Sequence, residues 1–155
     1  MQYWLVKSEP SCYSILDLKR DHVTQWNDVR NYQARNFLRA MRKGDLLLFY
    51  HSSCAVTGVV GVAKVEKEAY PDPTQFDSNS EGYEKTSTIE NPRWSTVDVR
   101  FVELFKDVLT LAELKKDPAF AGMVVTQQGS RLSVQPVSEA HFKRTLLLRS
   151  KKPKV

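Results

Sequence analysis

The sequence predicts an α+β domain built on one mixed, strongly bent or barrel-like sheet. Three observations lead there. Five or six short strand patterns are spread along the chain, with helical patterns inserted among them. Most connections are too short for repeated strand–helix–strand crossovers. A length of 155 residues, 41% apolar and 26% charged, suits one ordinary globular core.

Gln2 to Val6 is rich in aromatic and β-branched residues and reads as the first strand, ended by Pro10. Ser11 is placed to cap a short helix carrying Tyr13, Ile15, Leu16 and Leu18. A polar stretch then leads to Trp26. Asn31 to Met41 reads as a helix with Phe37, Leu38 and Met41 on one face, Gly44 as its stop and Gly44-Asp45 as the turn into the next strand. Leu46 to His51 reads as a buried strand and Gly58 to Val65 as its hairpin partner. Gly58 and Gly61 suggest a bulge or a close backbone approach. Tyr70 to Pro92 reads as a long loop, stiffened by Pro71, Pro73 and Pro92. Trp94 to Phe105 alternates as a half-buried strand. Thr110 caps a helix that Pro118 breaks. Arg131 to Val134 reads as a short strand ended by Pro136, and Ser138 caps a final helix. One domain over residues 1–148 is expected, then a basic tail over 149–155, expected to be disordered.

Several classes are disfavoured. The longest apolar run, Leu46 to Tyr50, falls far short of a membrane span. Charges at Lys7 and Glu9 follow the first strand at once, unlike a signal peptide. Cys12 and Cys54 make no disulfide framework, so a reducing compartment is expected. His22, His51 and His141 lack ligand spacing, and there is no glycine-rich phosphate loop and no nucleophile elbow. No metal, no cofactor and no membrane partner are expected, and the chain is expected to be a monomer.

The formal net charge of +5 suggests an anionic partner. Most of it comes from Arg149, Lys151, Lys152 and Lys154 at the C-terminus. The informative stretch is Val29 to Gly44, which holds Arg30, Arg35, Arg39, Arg42 and Lys43 and no acid. Arg35, Arg39 and Arg42/Lys43 fall on one side of the expected helix. A solvated face is the ordinary explanation of such a stripe, and an anion-binding flank is the functional one.

Trp26 stands in a polar stretch beside Asn27, Asp28, Arg30, Asn31 and Arg35. An indole there is either a satellite core residue or the wall of a pocket. Amide, carboxylate and guanidinium groups beside an aromatic plane suit a nucleobase, by stacking and by hydrogen bonds to its edge. Lys7-Ser8-Glu9 at a strand exit offers groups for acyl transfer, although adjacent side chains of a strand alternate between faces. Arg131 and Ser133 share one face if they lie on a strand. Tyr70 opens the long loop as a rigid turn or a second aromatic wall.

Together these strings resemble the EVE-domain family. The resemblance rests on Tyr3-Trp4-Leu5-Val6-Lys7-Ser8-Glu9-Pro10, on Trp26-Asn27-Asp28-Val29-Arg30-Asn31-Tyr32-Gln33-Ala34-Arg35-Asn36, on Gly44-Asp45, on Phe49-Tyr50-His51-Ser52 and on Gly58-Val59-Val60-Gly61. It continues through Glu68-Ala69-Tyr70-Pro71-Asp72, Trp94 and Arg131-Leu132-Ser133-Val134-Gln135-Pro136-Val137-Ser138. Asn27-Asp28 departs from the small residue or glycine that the family often places before Val-Arg-Asn. The resemblance implies a PUA-like fold related to YTH and ASCH domains, and a reader of modified bases in DNA or RNA. YTH relatives hold N6-methyladenine in an aromatic cage, and Trp26 matches their first cage tryptophan. Ser8 and Asn31 match polar positions near that cage, His51-Ser52 borders it, and Tyr70 matches a second wall in location. ASCH relatives include small amidohydrolases using Lys, Thr and Glu, of which Lys7 and Glu9 have counterparts here.

The resulting expectation is a module that binds DNA or RNA carrying a modified base and does no chemistry on it. Trp26 and Tyr70 flank the ring. Ser8, Asn31 and Ser133 read its edge, with His51 and Ser52 at the border. Lys7, Arg30, Arg35 and Arg131 hold phosphate or ribose. The alternatives are a small amidohydrolase acting on an acylated nucleoside and a general RNA-binding module. A bacterial cytoplasmic location is expected, because Met1 leads straight into the first strand, or a nuclear one in a eukaryote, where Lys151-Lys152-Pro153-Lys154 resembles a nuclear signal.

Overall fold

The computed structural model describes residues 1–129 and 131–151. Six strands form one sheet: β1 (Tyr3–Ser8), β2 (Val23–Gln25), β3 (Leu46–His51), β4 (Gly58–Pro71), β5 (Ser95–Thr110) and β6 (Val134–Val137), in spatial order β2-β5-β4-β3-β1-β6. β1 and β3 run parallel and the other neighbours antiparallel, so the sheet is mixed. β2 and β6 are its edges, so it is open rather than closed.

Both faces are covered, which is why β1 and β3 read as unbroken apolar runs. Trp4, Val6, Leu47 and Phe49 point into one core with Ile15, Leu18 and Leu38. Those three come from helices α1 (Ile15–Asp21) and α2 (Tyr32–Ala40). Leu5, Leu48 and Tyr50 point into the other, with Leu114, Phe142 and Leu146. These belong to α3 (Leu111–Lys116) and α4 (Glu139–Arg149).

β4 and β5 are longer than their patterns suggest, at 14 and 16 residues. Their register shifts at several points along the ladder, and such bulges bend a sheet and scramble its alternation. The close approach expected at Gly61 is present: a Cβ there would lie 2.2 Å from the Glu103 carbonyl oxygen. β2 is a further strand not legible in the sequence, being three residues long and mostly polar.

Three local expectations are corrected. α1 is capped by Ser14 and not by Ser11. Ser14 accepts from Asp17 N–H while the Asp17 carboxylate accepts from Ser14 N–H, and Ser11 has no acid three residues on. Gly44, at φ +91°, makes the expected turn into β3 but is not the helix stop, because α2 ends at Ala40 with Met41 as its cap. The last strand is 134–137 instead of 131–134. Pro136 sits inside it, opposite Trp4, on an edge where a missing N–H is tolerated. Thr110 and Ser138 cap α3 and α4 as expected. Arg149 is the last residue of α4 and pairs with Glu113 at 2.6 Å. The rest of the basic tail, from 152, lies outside the described residues. Among the described residues no helix is long and apolar enough to cross a membrane.

Candidate functional site

A cavity of about 800 Å³ opens where the parallel strands β1 and β3 end. Their register pairs Ser8 with His51, so both strands leave the sheet at one place. Ser52 N–H donates to the Ser8 carbonyl at 3.0 Å, and Lys7 N–H to the Ser133 carbonyl at 2.9 Å. These bonds draw the turn after β3 and the segment before β6 to the exit of β1. The remaining wall is Thr24 to Arg30, which follows β5 through Trp26 N–H and the Val97 carbonyl at 2.8 Å.

Of the residues singled out in the sequence, Lys7, Ser8, Trp26, Arg30, Ser52, Arg131 and Ser133 line this cavity, as does Glu9. Ser8 Oγ donates to the Tyr13 carbonyl at 2.5 Å, which leaves its lone pairs as acceptors. Trp26 is 8% exposed and meets Phe49 edge-on at 5.4 Å and 87°, so it serves the core and the cavity wall at once. Lys7 lies over the Tyr50 ring at 5.8 Å, and burial lowers its amine below the ordinary lysine range.

Asn31, His51, Tyr70 and Arg35 lie elsewhere. Asn31 caps α2, its Oδ1 accepting Ala34 N–H at 2.9 Å. His51 Nε2 accepts Ile15 N–H at 3.1 Å and anchors the start of α1; burial lowers its pKa below the ordinary value. Tyr70 is inside β4, because that strand continues to Pro71. Its hydroxyl donates to Asp98 at 2.5 Å under the Lys67 ammonium. Burial and the Asp98 carboxylate raise its pKa. Arg35 is on the outer side of α2.

Asn27, visible in the sequence as a neighbour of Trp26, also lines the cavity, as do Tyr13, Thr24 and Gln25, where nothing in their sequence pattern puts them. Tyr13 is its second aromatic ring, and in the sequence it is indistinguishable from the apolar positions of α1. Asn27 is the most informative. Its Nδ2 donates to Gln25 Oε1 at 3.0 Å, while its Oδ1 is buried and has no partner among the described residues. An acceptor left so costs about 1–3 kcal/mol unless a ligand or water donates to it.

Behind this wall stands a clamp. Asp28 has φ +68°, the left-handed region that favours glycine. Glycine adopts that conformation freely, and Asp28 holds it here with a side chain. Its N–H donates to the buried Asp72 carboxylate at 2.8 Å. Arg30 spends its N–H groups on Asp72, Thr74 and the carbonyls of Val29 and Gly82. A Cβ on Gly82 would come within 2.6 Å of Arg30 Nη2. The loop from Asp72 is itself held by buried Gln75, which bonds Asp72, Ser87 and both backbone groups of Trp94. The long loop is therefore a buttress for the cavity wall. No group of three or more His, Cys, Asp or Glu placed to hold a metal occurs among the described residues.

An open mixed sheet with helices on both faces and a cavity at the exit of its parallel pair is a PUA-like architecture. A Zymomonas mobilis ASCH protein shares the fold, with a TM-score of 0.56 at 12% identity over 97% of this chain and all of that one. The chain belongs to the EVE-domain family, whose model matches residues 2–147. It is 44% identical to human thymocyte nuclear protein 1 over 97% of this chain and 75% of that protein. A Pseudomonas syringae protein superposes with a TM-score of 0.92 at 48% identity, covering 94% of this chain and 98% of its own. The structure of human thymocyte nuclear protein 1 in complex with 5-methylcytosine-containing DNA superposes with a TM-score of 0.89 at 44% identity, covering 99% of this chain and all of that one.

Proposed function

We propose that this domain binds nucleic acid and receives an unstacked, modified base in the cavity beside Trp26. The observation that carries the reading is a cavity walled by Trp26 and Tyr13 and lined by Asn27, whose buried Oδ1 has no partner among the described residues. The exocyclic amine of a cytosine or adenine would satisfy it. Ser8 Oγ offers a second acceptor, and Ser52 and Ser133 offer hydroxyls on the opposite wall. Lys7 and Arg131 at the cavity supply positive charge for phosphate or ribose. Arg30, whose N–H groups are used inside the protein, holds the wall in place, and Asn31 Oδ1 caps α2. The related human protein seen with 5-methylcytosine-containing DNA supports DNA as the ligand and 5-methylcytosine as the first base to test.

A methyl group contributes only about 0.8 kcal/mol when buried. Preference for a modified base must therefore come from cavity shape and from not leaving a polar group stranded. The test is titration of oligonucleotides containing cytosine or 5-methylcytosine into wild type and Asn27→Ala. Weaker binding of both strands by the variant, with the wild type preferring the modified one, supports the reading. Equal binding of all combinations contradicts it.

One observation favours a second reading, an amidohydrolase. Thr24, Lys7 and Glu9 line the same cavity, the residue types used by ASCH relatives. There, water would attack the acyl carbonyl of an N-acylated nucleoside, releasing the carboxylate and the free amine. Incubation with N4-acetylcytidine at high protein concentration tests this, and absence of cytidine and acetate ends it.

A further inference from the structure

The outer side of α2 carries a second feature, separate from the cavity. Arg35 Nη1 and Arg39 Nη2 both donate to the carbonyl oxygen of Arg93, at 3.0 and 3.4 Å. Arg39 Nε also donates to Ser95 Oγ at 2.9 Å, and Arg35 Nε and Nη2 to Asn36 Oδ1. Arg93 Nη1 reaches the Tyr32 hydroxyl at 3.3 Å, and the Arg35 guanidinium lies over the Tyr32 ring at 4.7 Å.

Three guanidinium groups are thus drawn together on neutral partners. Among the described residues no ion pair includes Arg35, Arg39 or Arg93, whereas Arg42, next along the stripe, is paired with Glu68. Burial and the nearby Arg35 charge both push the Arg39 guanidinium below its ordinary value. The Glu84 carboxylate interacts with Arg93 electrostatically but forms no ion pair with it, so the like charges still repel one another, and an anion between them reverses the sign of that interaction. Tyr32 is 50% exposed, so the cluster faces solvent. It is also continuous with the cavity wall. Tyr32 stacks on Trp94 at 4.8 Å, and the far partner of Trp94 is Arg30, at 5.5 Å.

We propose that Tyr32, Arg35, Arg39 and Arg93 form a backbone-phosphate site, which takes a phosphodiester of the same strand or duplex whose base enters the cavity. The proposal rests on the nucleic-acid reading above. It assigns sequence-independent affinity to α2 and leaves base preference to the cavity. Arginine suits the task because its planar fork bonds two phosphate oxygens together.

The experiment compares wild type with Arg35→Gln/Arg39→Gln/Arg93→Gln in binding cytosine- and 5-methylcytosine-containing oligonucleotides across a range of salt. Arg93→Ala serves as a milder variant should the triple change lower the melting temperature. The expected result is an equal loss of affinity for both strands and a salt slope shallower by about 0.7–0.9 for each phosphate that is no longer neutralised. Affinity and slope unchanged in both folded variants overturn the site. A wild type without base preference whose slope still flattens in the variants keeps the phosphate site and removes the base reader. A wild type that binds neither strand overturns both. Displacement of the oligonucleotide by polyglutamate as readily as by unlabelled DNA of equal charge assigns the face to an acidic protein instead.

Discussion

The buried carboxylate of Asp72 accepts the backbone N–H of Asp28 at 2.8 Å, across 44 residues of sequence. The same Oδ2 takes Arg30 Nη1 at 3.0 Å, and Oδ1 takes the hydroxyl and N–H of Thr74. One side chain thereby fixes the left-handed turn that follows Trp26 and Asn27. The cavity wall is consequently only as rigid as a loop far away in the chain.

Asp72→Ala should cost about 3–5 kcal/mol, because it leaves Arg30 without its carboxylate and Asp28 N–H without its acceptor. Denaturant unfolding should show a lower midpoint at unchanged slope. Oligonucleotide affinity should fall as well, although Asp72 does not line the cavity.

Asp28 holds a backbone conformation that costs an L-residue about 1–2 kcal/mol. Asp28→Gly should therefore melt at the wild-type temperature or above it, the relief of strain offsetting the removal of the Thr74 hydrogen bond at 3.0 Å. Asp28→Val should melt lower. Thermal unfolding of the pair distinguishes backbone strain from side-chain bonding.

Trp26 packs against Phe49 and is nearly buried, so Trp26→Ala should destabilise the fold by about 3–5 kcal/mol. Its effect on binding would then mix unfolding with loss of a wall. Trp26→Phe keeps most of the packing and should weaken binding with a much smaller drop in melting temperature.

His51 accepts Ile15 N–H through unprotonated Nε2, and burial holds its pKa below the unfolded value near 6.5. The unfolded chain therefore binds the proton first. The His51 contribution is complete above about pH 6.5 and is lost as pH falls toward the lowered folded value. His51→Gln should flatten the decline in stability between about pH 7 and the mildly acidic range (above the ordinary carboxylate pKa values near 4).

Much of this architecture is legible from local pattern. β1, β3 and α2 announce themselves by composition or period, and Thr110 and Ser138 by their capping positions. The strand exit at Ser8 and the wall at Trp26 are likewise visible. What is hidden depends on distant contacts. β2 is too short to have a period, and bulges break the alternation of β4 and β5. Position along the chain puts Tyr70 at the site, yet β4 runs past it and turns it toward Asp98. Asn31 and His51 carry polar groups whose bonds go to helix termini, which their residue types do not disclose. Asn27 is in view as a neighbour of Trp26. Its unpartnered oxygen is a property of the fold alone.

The most direct test is a solution titration that reports on Asn27 when the ligand is bound. An oligonucleotide containing 5-methylcytosine, added to protein labelled on asparagine side-chain nitrogen, should shift the Asn27 Nδ2 resonances. Asn27→Ala should lose affinity for modified and unmodified strands by about 5–100-fold, the worth of one to two hydrogen bonds to a buried group. Saturation of binding with the Asn27 resonances unmoved, and an Asn27→Ala affinity equal to wild type, would contradict the account.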